Sequence, residues 1–251
     1  MEDKSSDLEE AIKRRAKRRN LTVNLDKMAY FDEWVFSHTK SNCDKALYVG
    51  VGHGHDALYA LLMGYVNNIV GVDPYYESDG NDEQDYYELI SLIARYDLHN
   101  RFKVYRSTIK SYLEDSNDMF DHVFFIDVLH HIFVTKHRLR ESEFFIQAVD
   151  LFSLIRKHTH SGGRVIVVEV ERHGLRQALL RMGLIKGFID YSTKQPWYEW
   201  ATAMTEAHFD YVGKSTYVPW ALRRLNKIFD STIGLYTVCD KSIIMCDLKE
   251  A

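Results

Sequence analysis

The sequence predicts an α/β fold: a doubly wound, mostly parallel sheet of about seven strands with helices on both faces. Three observations predict it. Apolar runs at 46–49, 69–72, 123–126 and 165–168 are bounded by turn signals and too short for helices, and their unbroken apolarity marks strands covered on both faces. Segments of helical period stand between them, as the crossovers of a parallel sheet require. The residues able to do chemistry gather where these runs end, at Gly50, Gly52 and Gly54, at Asp73 and at Asp127, which is where open α/β sheets hold their ligands.

Composition sets the outer bounds. The 251 residues, 46% hydrophobic and 27% charged, are enough to bury a large core without disulfides. A formal net charge of -4 gives no general attraction to nucleic acid, so no specific nucleic-acid partner is expected. Cys43, Cys239 and Cys246 are too few and too scattered for a disulfide framework or a cysteine zinc site. Together with a charged amino-terminal stretch and no apolar run near the eighteen or so residues of a membrane span, they predict a cytoplasmic protein.

Taken in order, Ser6-Asp7-Leu8-Glu9 has capping-box spacing and opens a charged helix through Lys13, Arg14, Arg15, Lys17, Arg18 and Arg19. Its cations are either a solvated face paired with Glu9 and Glu10 or a contact for RNA or an anionic surface. Residues 24–38, with Leu25, Met28, Phe31 and Trp34, read as a second helix that packs on the sheet or covers a ligand mouth. These make an N-terminal helical segment, 1–40, ahead of a single α/β domain over 41–251.

The first strand, 46–49, meets glycines at alternate positions before a helix from about His55. Glycine there removes Cβ atoms that would keep a ligand from the backbone, and the free N–H groups opening the helix favour electron-rich atoms. After the second strand and Asp73, residues 74–85 are polar and acidic and predict an exposed loop with solvated acids, then a helix over 83–96. A short third strand covers 102–105, and the fourth is the core of 120–126. An amphipathic helix over 141–157 is ended by Ser161-Gly162-Gly163, which turn into a fifth strand, 164–170. Beyond it, Arg172, Arg176, Arg181 and Lys186 among large apolar residues mark an insertion around 172–208, and Arg223, Arg224 and Lys227 mark a second such segment. Strands at about 209–218 and 239–247 complete the count.

The alternate glycines, the carboxylate roughly twenty residues on, and Phe120-Asp121 leading through an apolar run to Asp127-Val128-Leu129-His130-His131-Ile132 resemble the class I S-adenosylmethionine-dependent methyltransferases, in the branch that methylates small molecules. The resemblance covers roughly 45–170. It implies a Rossmann-like sheet whose last strand is antiparallel, with S-adenosylmethionine as cofactor. It places the methionine end near Gly50, Gly52, Gly54 and Tyr48, the ribose hydroxyls on Asp73, the adenine amine near Ser107 or Thr108, and Asp127 among the binding residues. Tyr48 stands where the family has an acid, and offers only a phenol oxygen or a ring face. Ser107 or Thr108 is alternatively an ordinary helix N-cap.

His130 and His131 are either a proton acceptor and its structural partner, or a loop cap and a packing residue. Glu169 is a second acid/base group or a solvent-exposed carboxylate at a strand end. His53 and His55 sit two apart with no third ligand at fixed spacing, so no metal is expected. The expected reaction is methyl transfer to a small-molecule or lipid-linked acceptor. The basic apolar segments are read either as packing helices or as an acceptor lid in peripheral contact with an anionic membrane. Two other readings remain: a non-catalytic interaction protein on a degenerate methyltransferase scaffold, favoured by Tyr48 and Ser107, and a nucleotide-cofactor oxidoreductase. His55, where a dinucleotide fingerprint needs glycine, weighs against the oxidoreductase.

Overall fold

The structure is a computed structural model that describes residues 10, 35–39, 43–76, 81–135, 137–171, 179, 182, 194–216 and 241–248. The chain divides into two compact units, Met1–Tyr112 and Leu113–Ala251. Its elements are β1 (Lys45–Val49), α1 (His55–Leu62), β2 (Asn68–Val72), α2 (Glu83–Arg95), β3 (Phe102–Tyr105), α3 (Ile109–Asp115), β4 (Phe120–Ile126), α4 (Leu129–Ile132), α5 (Phe144–Lys157), β5 (Thr159–Val170), α6 (Trp197–Glu206), β6 (Asp210–Thr216) and β7 (Lys241–Asp247). The strands form one seven-stranded sheet in the order β3-β2-β1-β4-β5-β7-β6.

In the first unit, β1 runs parallel to β2 in register from Lys45↔Asn68 to Val49↔Val72, and β2 runs parallel to β3. Successive residues of β1 and β2 are buried, which is why their sequences do not alternate, whereas the edge strand β3 exposes Lys103 and Tyr105. Gly54 caps α1 in the left-handed region, and a Cβ on it would lie 2.5 Å from Cδ1 of Leu89 on α2. Gly52, at φ 50°, would bring a Cβ within 2.9 Å of the Asn81 side chain. A side chain at either position would therefore collide with the chain's own Leu89 or Asn81, which is one reason for glycine here.

The expectation of an exposed loop with solvated acids over 74–85 is corrected in part: Tyr76 and Glu83 are exposed as expected, residues 77–80 lie outside the described residues, and two residues fold inward. Tyr75 and Asp85 are buried, and Asp85 closes a capping box for α2 in which its backbone N–H donates to Asp82 Oδ1 at 2.9 Å and its carboxylate accepts from the Asp82 N–H. Of residues 24–38, the described part is a short 3-10 turn, Phe36–His38, whose Phe36 ring stacks on Tyr59 and Tyr65, so this end packs. The charged helix expected over 6–19 lies outside the described residues apart from Glu10.

In the second unit, β4 and β5 are parallel, while β7 runs antiparallel to both β5 and β6, the arrangement the resemblance implies. The fifth strand begins earlier than its sequence suggests. The helix α5 ends at Lys157, and pairing passes from Phe120↔Thr159 to His122↔Arg164 with the intervening residues bulged. Gly162 holds the bulge at φ 76°, its N–H donating to the Leu248 carbonyl at 2.9 Å. The helix start shifts as well: Leu139–Glu141 forms a separate 3-10 turn before α5. Part of the expected insertion is ordinary core, because α6 buries Trp200, Ala203 and Met204. Arg172, Arg176, Arg181, Lys186, Arg223, Arg224 and Lys227 lie outside the described residues. Among the described residues, no helix is long and apolar enough to cross a membrane.

Candidate functional site

The first unit builds its site on the turn between β1 and α1. Backbone N–H groups of Gly50 and Val51 donate to the Val72 carbonyl, at 2.8 and 3.4 Å, tying the turn to the end of β2. One residue later Asp73 projects a carboxylate that is 4% exposed. Its Oδ2 accepts from the Gly52 N–H at 2.9 Å and from Asn81 Nδ2 at 3.3 Å, and its Oδ1 accepts from the Tyr75 N–H at 2.7 Å. The Tyr75 hydroxyl then donates to the Gly52 carbonyl at 2.7 Å. Burial, followed by the neighbouring Asp73 carboxylate, holds the Tyr75 phenol far above its usual range, so it remains a donor.

Tyr48 lies on β1 with 2% of its surface exposed. Burial first, then the Asp56 carboxylate, then Cys43, raise its phenol well above the usual value and keep it neutral. Tyr48, expected near the methionine end, is thus a buried, neutral residue of β1. Thr108 Oγ1 accepts from the Ser111 N–H at 3.2 Å at the start of α3, the N-cap alternative, while Ser107 is half-buried and its hydroxyl donates to the Thr108 carbonyl. The rings of His53 and His55 stand 4.3 Å apart. Among the described residues no three His, Cys, Asp or Glu side chains are grouped to hold a metal.

The second unit places its chemistry at the ends of β4 and β5. Asp127 follows β4 at φ 54°, anchored by its N–H to the Val168 carbonyl at 2.8 Å, and its Oδ2 pairs with Lys241 Nζ at the start of β7. Glu169 is 2% exposed, which overturns the reading of it as a solvated strand-end carboxylate. Its Oε1 accepts from the Val128 and Leu129 N–H groups, at 2.9 and 2.6 Å, so it caps the start of α4. Its Oε2 lies 2.7 Å from Nδ1 of His130. With both oxygens engaged, Glu169 orients His130 instead of meeting an acceptor itself. The His130 ring is nearly buried, and its Nε2 makes no hydrogen bond among the described residues. His131 is exposed, with its ring 4.2 Å from that of His130.

Sequence reasoning missed Tyr75, Asn81, Lys241 and Glu171. Glu171 is 2% exposed just past β5, accepting from Ser242 Oγ at 2.5 Å and from the Trp197 N–H at 3.1 Å. Burial pushes its carboxyl up to about 7, against the lowering effects of Ser242, Trp197 and Lys214 and with a further push from Glu169. The signal for Glu171 was its two-residue spacing from Glu169, which places both carboxylates on one side of the strand. Tyr75 and Asn81 carried none, because loop polarity does not show which side chains fold inward.

No protein-family model matches the chain, and no curated protein sequence does. Solved structures do match. The chain is similar to an S-adenosylmethionine-dependent methyltransferase from Archaeoglobus fulgidus at 13% identity and TM-score 0.56, over 88% of this chain and 92% of that one. It is similar to geranyl diphosphate C-methyltransferase from Streptomyces coelicolor A3(2), solved with Mg2+, geranyl diphosphate and S-adenosyl-L-homocysteine, at 12% identity and TM-score 0.56, over 89% and 79%. N-methyltransferase NodS from Bradyrhizobium japonicum WM9 matches at 12% identity and TM-score 0.52, over 90% and 96%. At such identities the likeness is one of fold, and the fold is the Rossmann-like α/β fold of class I methyltransferases.

Proposed function

We propose that the chain binds S-adenosylmethionine and transfers its methyl group to a small-molecule or lipid-linked acceptor. The observation that carries this reading is the joining of the glycine turn to a strand-end carboxylate, through the Gly52 N–H on Asp73, in a fold shared with methyltransferases. The donor set fits the group: a carboxylate at the end of β2 can accept both hydroxyls of a ribose diol, and the N–H groups opening α1 face electron-rich atoms. Asp73, Gly50, Gly52 and Gly54 would hold it, with Ser107 within the same unit for the adenine amine.

When bound, S-adenosylmethionine supplies an activated methyl carbon, so that the acceptor–carbon bond forms as the carbon–sulfur bond breaks. The chain then has to align the acceptor and, for a hydroxyl or ammonium acceptor, remove a proton. Within the second unit, His130 is the side chain arranged as a base. Glu169 accepts a hydrogen bond from Nδ1–H, which leaves the Nε2 lone pair as the base, and its negative charge stabilises the imidazolium that results. Glu169 is thus a positioning residue, and the Asp127–Lys241 pair holds the adjoining loop.

The acceptor class is supported by the sequence alone, through the basic, apolar segments beyond β5. A structural neighbour, geranyl diphosphate C-methyltransferase, was solved with geranyl diphosphate, an apolar chain on an anionic head, which is in keeping with such an acceptor. Calorimetric titration with S-adenosylhomocysteine tests the reading. Wild type should bind, NAD should not, and Asp73→Ala should lose about ten- to a hundredfold in affinity, since a charge-assisted hydrogen bond is worth about 1.5–3 kcal/mol. Absence of binding by the folded wild type would return the chain to a non-catalytic scaffold, the reading that a buried, neutral Tyr48 favours.

A further inference from the structure

We propose that Tyr75 is a strap that holds the Asp73 carboxylate shut, so that ligand entry to the glycine turn is gated by the release of one side chain. The proposal rests on the reading of Asp73 and the glycine turn as the cofactor site. It starts from a closed ring of contacts. The Gly52 N–H donates to Asp73, the Tyr75 N–H donates to the other oxygen of Asp73, and the Tyr75 hydroxyl returns to the carbonyl of the same Gly52. Asn81 adds a further donor to Asp73 from the entrance to α2.

A ribose diol reaches a carboxylate by presenting two O–H groups to its lone pairs, which requires an open line of approach. Here the carboxylate is 4% exposed, and Tyr75, itself 5% exposed, bonds Asp73 through its N–H and Gly52 of the glycine turn through its hydroxyl. The site as it stands is shut, and something must move before a diol can enter. Tyr75 is the element built to move. Its backbone sits at φ 54°, a left-handed conformation that costs free energy in any residue with a bulky side chain, so its place is maintained by its two hydrogen bonds and its ring contacts. Its ring meets the Tyr86 ring edge-on at 5.2 Å, and Arg106 lies over Tyr86 while pairing with Glu83 at 3.0 Å. Release of Tyr75 would trade the hydroxyl bond to Gly52 for relief of the backbone.

The test is S-adenosylhomocysteine binding by wild type, Tyr75→Phe and Tyr75→Gly, followed by calorimetry for affinity and stopped flow for association rate. Phenylalanine removes the donor to Gly52 and keeps the ring. Because apparent affinity scales with the fraction of open molecules, it should tighten binding by about three- to tenfold and speed association. Glycine also removes the backbone strain and the side chain, and should bind at least as tightly as phenylalanine. Equal or weaker binding by both variants, with wild type binding normally, would make Tyr75 a fixed wall and overturn the strap while leaving the cofactor reading intact. No binding by any of the three would overturn the cofactor reading and the strap with it. If neither variant keeps a cooperative thermal melt, Tyr75 belongs to the core and is no strap.

Discussion

Glu169 uses its two oxygens for different tasks, and that division makes a prediction at the scale of single atoms. Oε1 is fixed by two backbone N–H groups of 128 and 129, so only Oε2 faces His130. In Glu169→Gln the amide oxygen must stay with those two donors, which turns the NH2 group toward Nδ1 and forces Nδ1 to accept. The proton should move to Nε2, abolishing the base. 15N spectra of the neutral imidazole should show an unprotonated Nε2 in wild type and an unprotonated Nδ1 in the variant, with methyl transfer to a hydroxyl acceptor falling about a hundredfold or more. The same tautomer in both proteins would remove Glu169 from its positioning role. The histidine pair was legible in the sequence because it ends an apolar strand. The burial of Glu169 was not, since it depends on where β5 stands beside β4, which is a tertiary fact.

Among elements, α6 is held at its first turn by side chains from distant parts of the second unit. Its N-cap is Pro196, which brings no capping side chain, and Glu171 supplies the missing acceptor to the Trp197 N–H. Gln195 and Glu199 meanwhile accept from the N–H groups of Leu139 and Arg140, at 2.9 and 3.0 Å. Glu171 couples this junction to pH. Its folded pKa of about 7 stands above the ordinary 4.5, so the folded chain keeps the proton longer than the unfolded chain does. The linked stability is fully present below about pH 4.5 and is lost as pH rises toward 7, by roughly 3 kcal/mol in total. Glu171→Gln keeps the acceptor and removes the charge. Urea denaturation should therefore find the variant more stable than wild type at pH 8, by up to about 3 kcal/mol, and near wild type at pH 4.5. A constant difference between the two pH values would show that Glu171 does not titrate in this window. The strands themselves were easier to read than this junction, because continuous burial on β1, β2, β4 and β5 writes itself as unbroken apolar runs. The bulge at Gly162 was misread as a helix stop, since glycine serves both uses and only the pairing of Phe120 with Thr159 separates them.

For the whole molecule, the proposed acceptor class follows from parts of the chain whose sequence is informative in charge and apolarity but carries no fixed motif. The overall charge of -4 makes the local excess of Arg172, Arg176, Arg181 and Lys186, and of Arg223, Arg224 and Lys227, more telling, because it is set against an acidic background. Large apolar residues interleave with both groups, including Leu175, Leu179, Leu184 and Ile185 in the first and Trp220, Leu222 and Ile228 in the second. That pairing suits an acceptor with an anionic head and an apolar tail, met at a membrane surface. Each cation near an anionic bilayer is worth about 1 kcal/mol, and the attraction fades within a Debye length of about 10 Å at 0.1 M salt. Wild type should accordingly sediment with vesicles rich in anionic lipid at low salt, stay in the supernatant with neutral vesicles, and be released by raising the salt. Replacing Arg176, Arg181 and Lys186 by glutamine should remove most of the sedimentation while leaving S-adenosylhomocysteine affinity unchanged. If wild type ignores anionic vesicles at low salt, these arginines are solvated faces of packing helices, and the acceptor is to be sought among soluble small molecules.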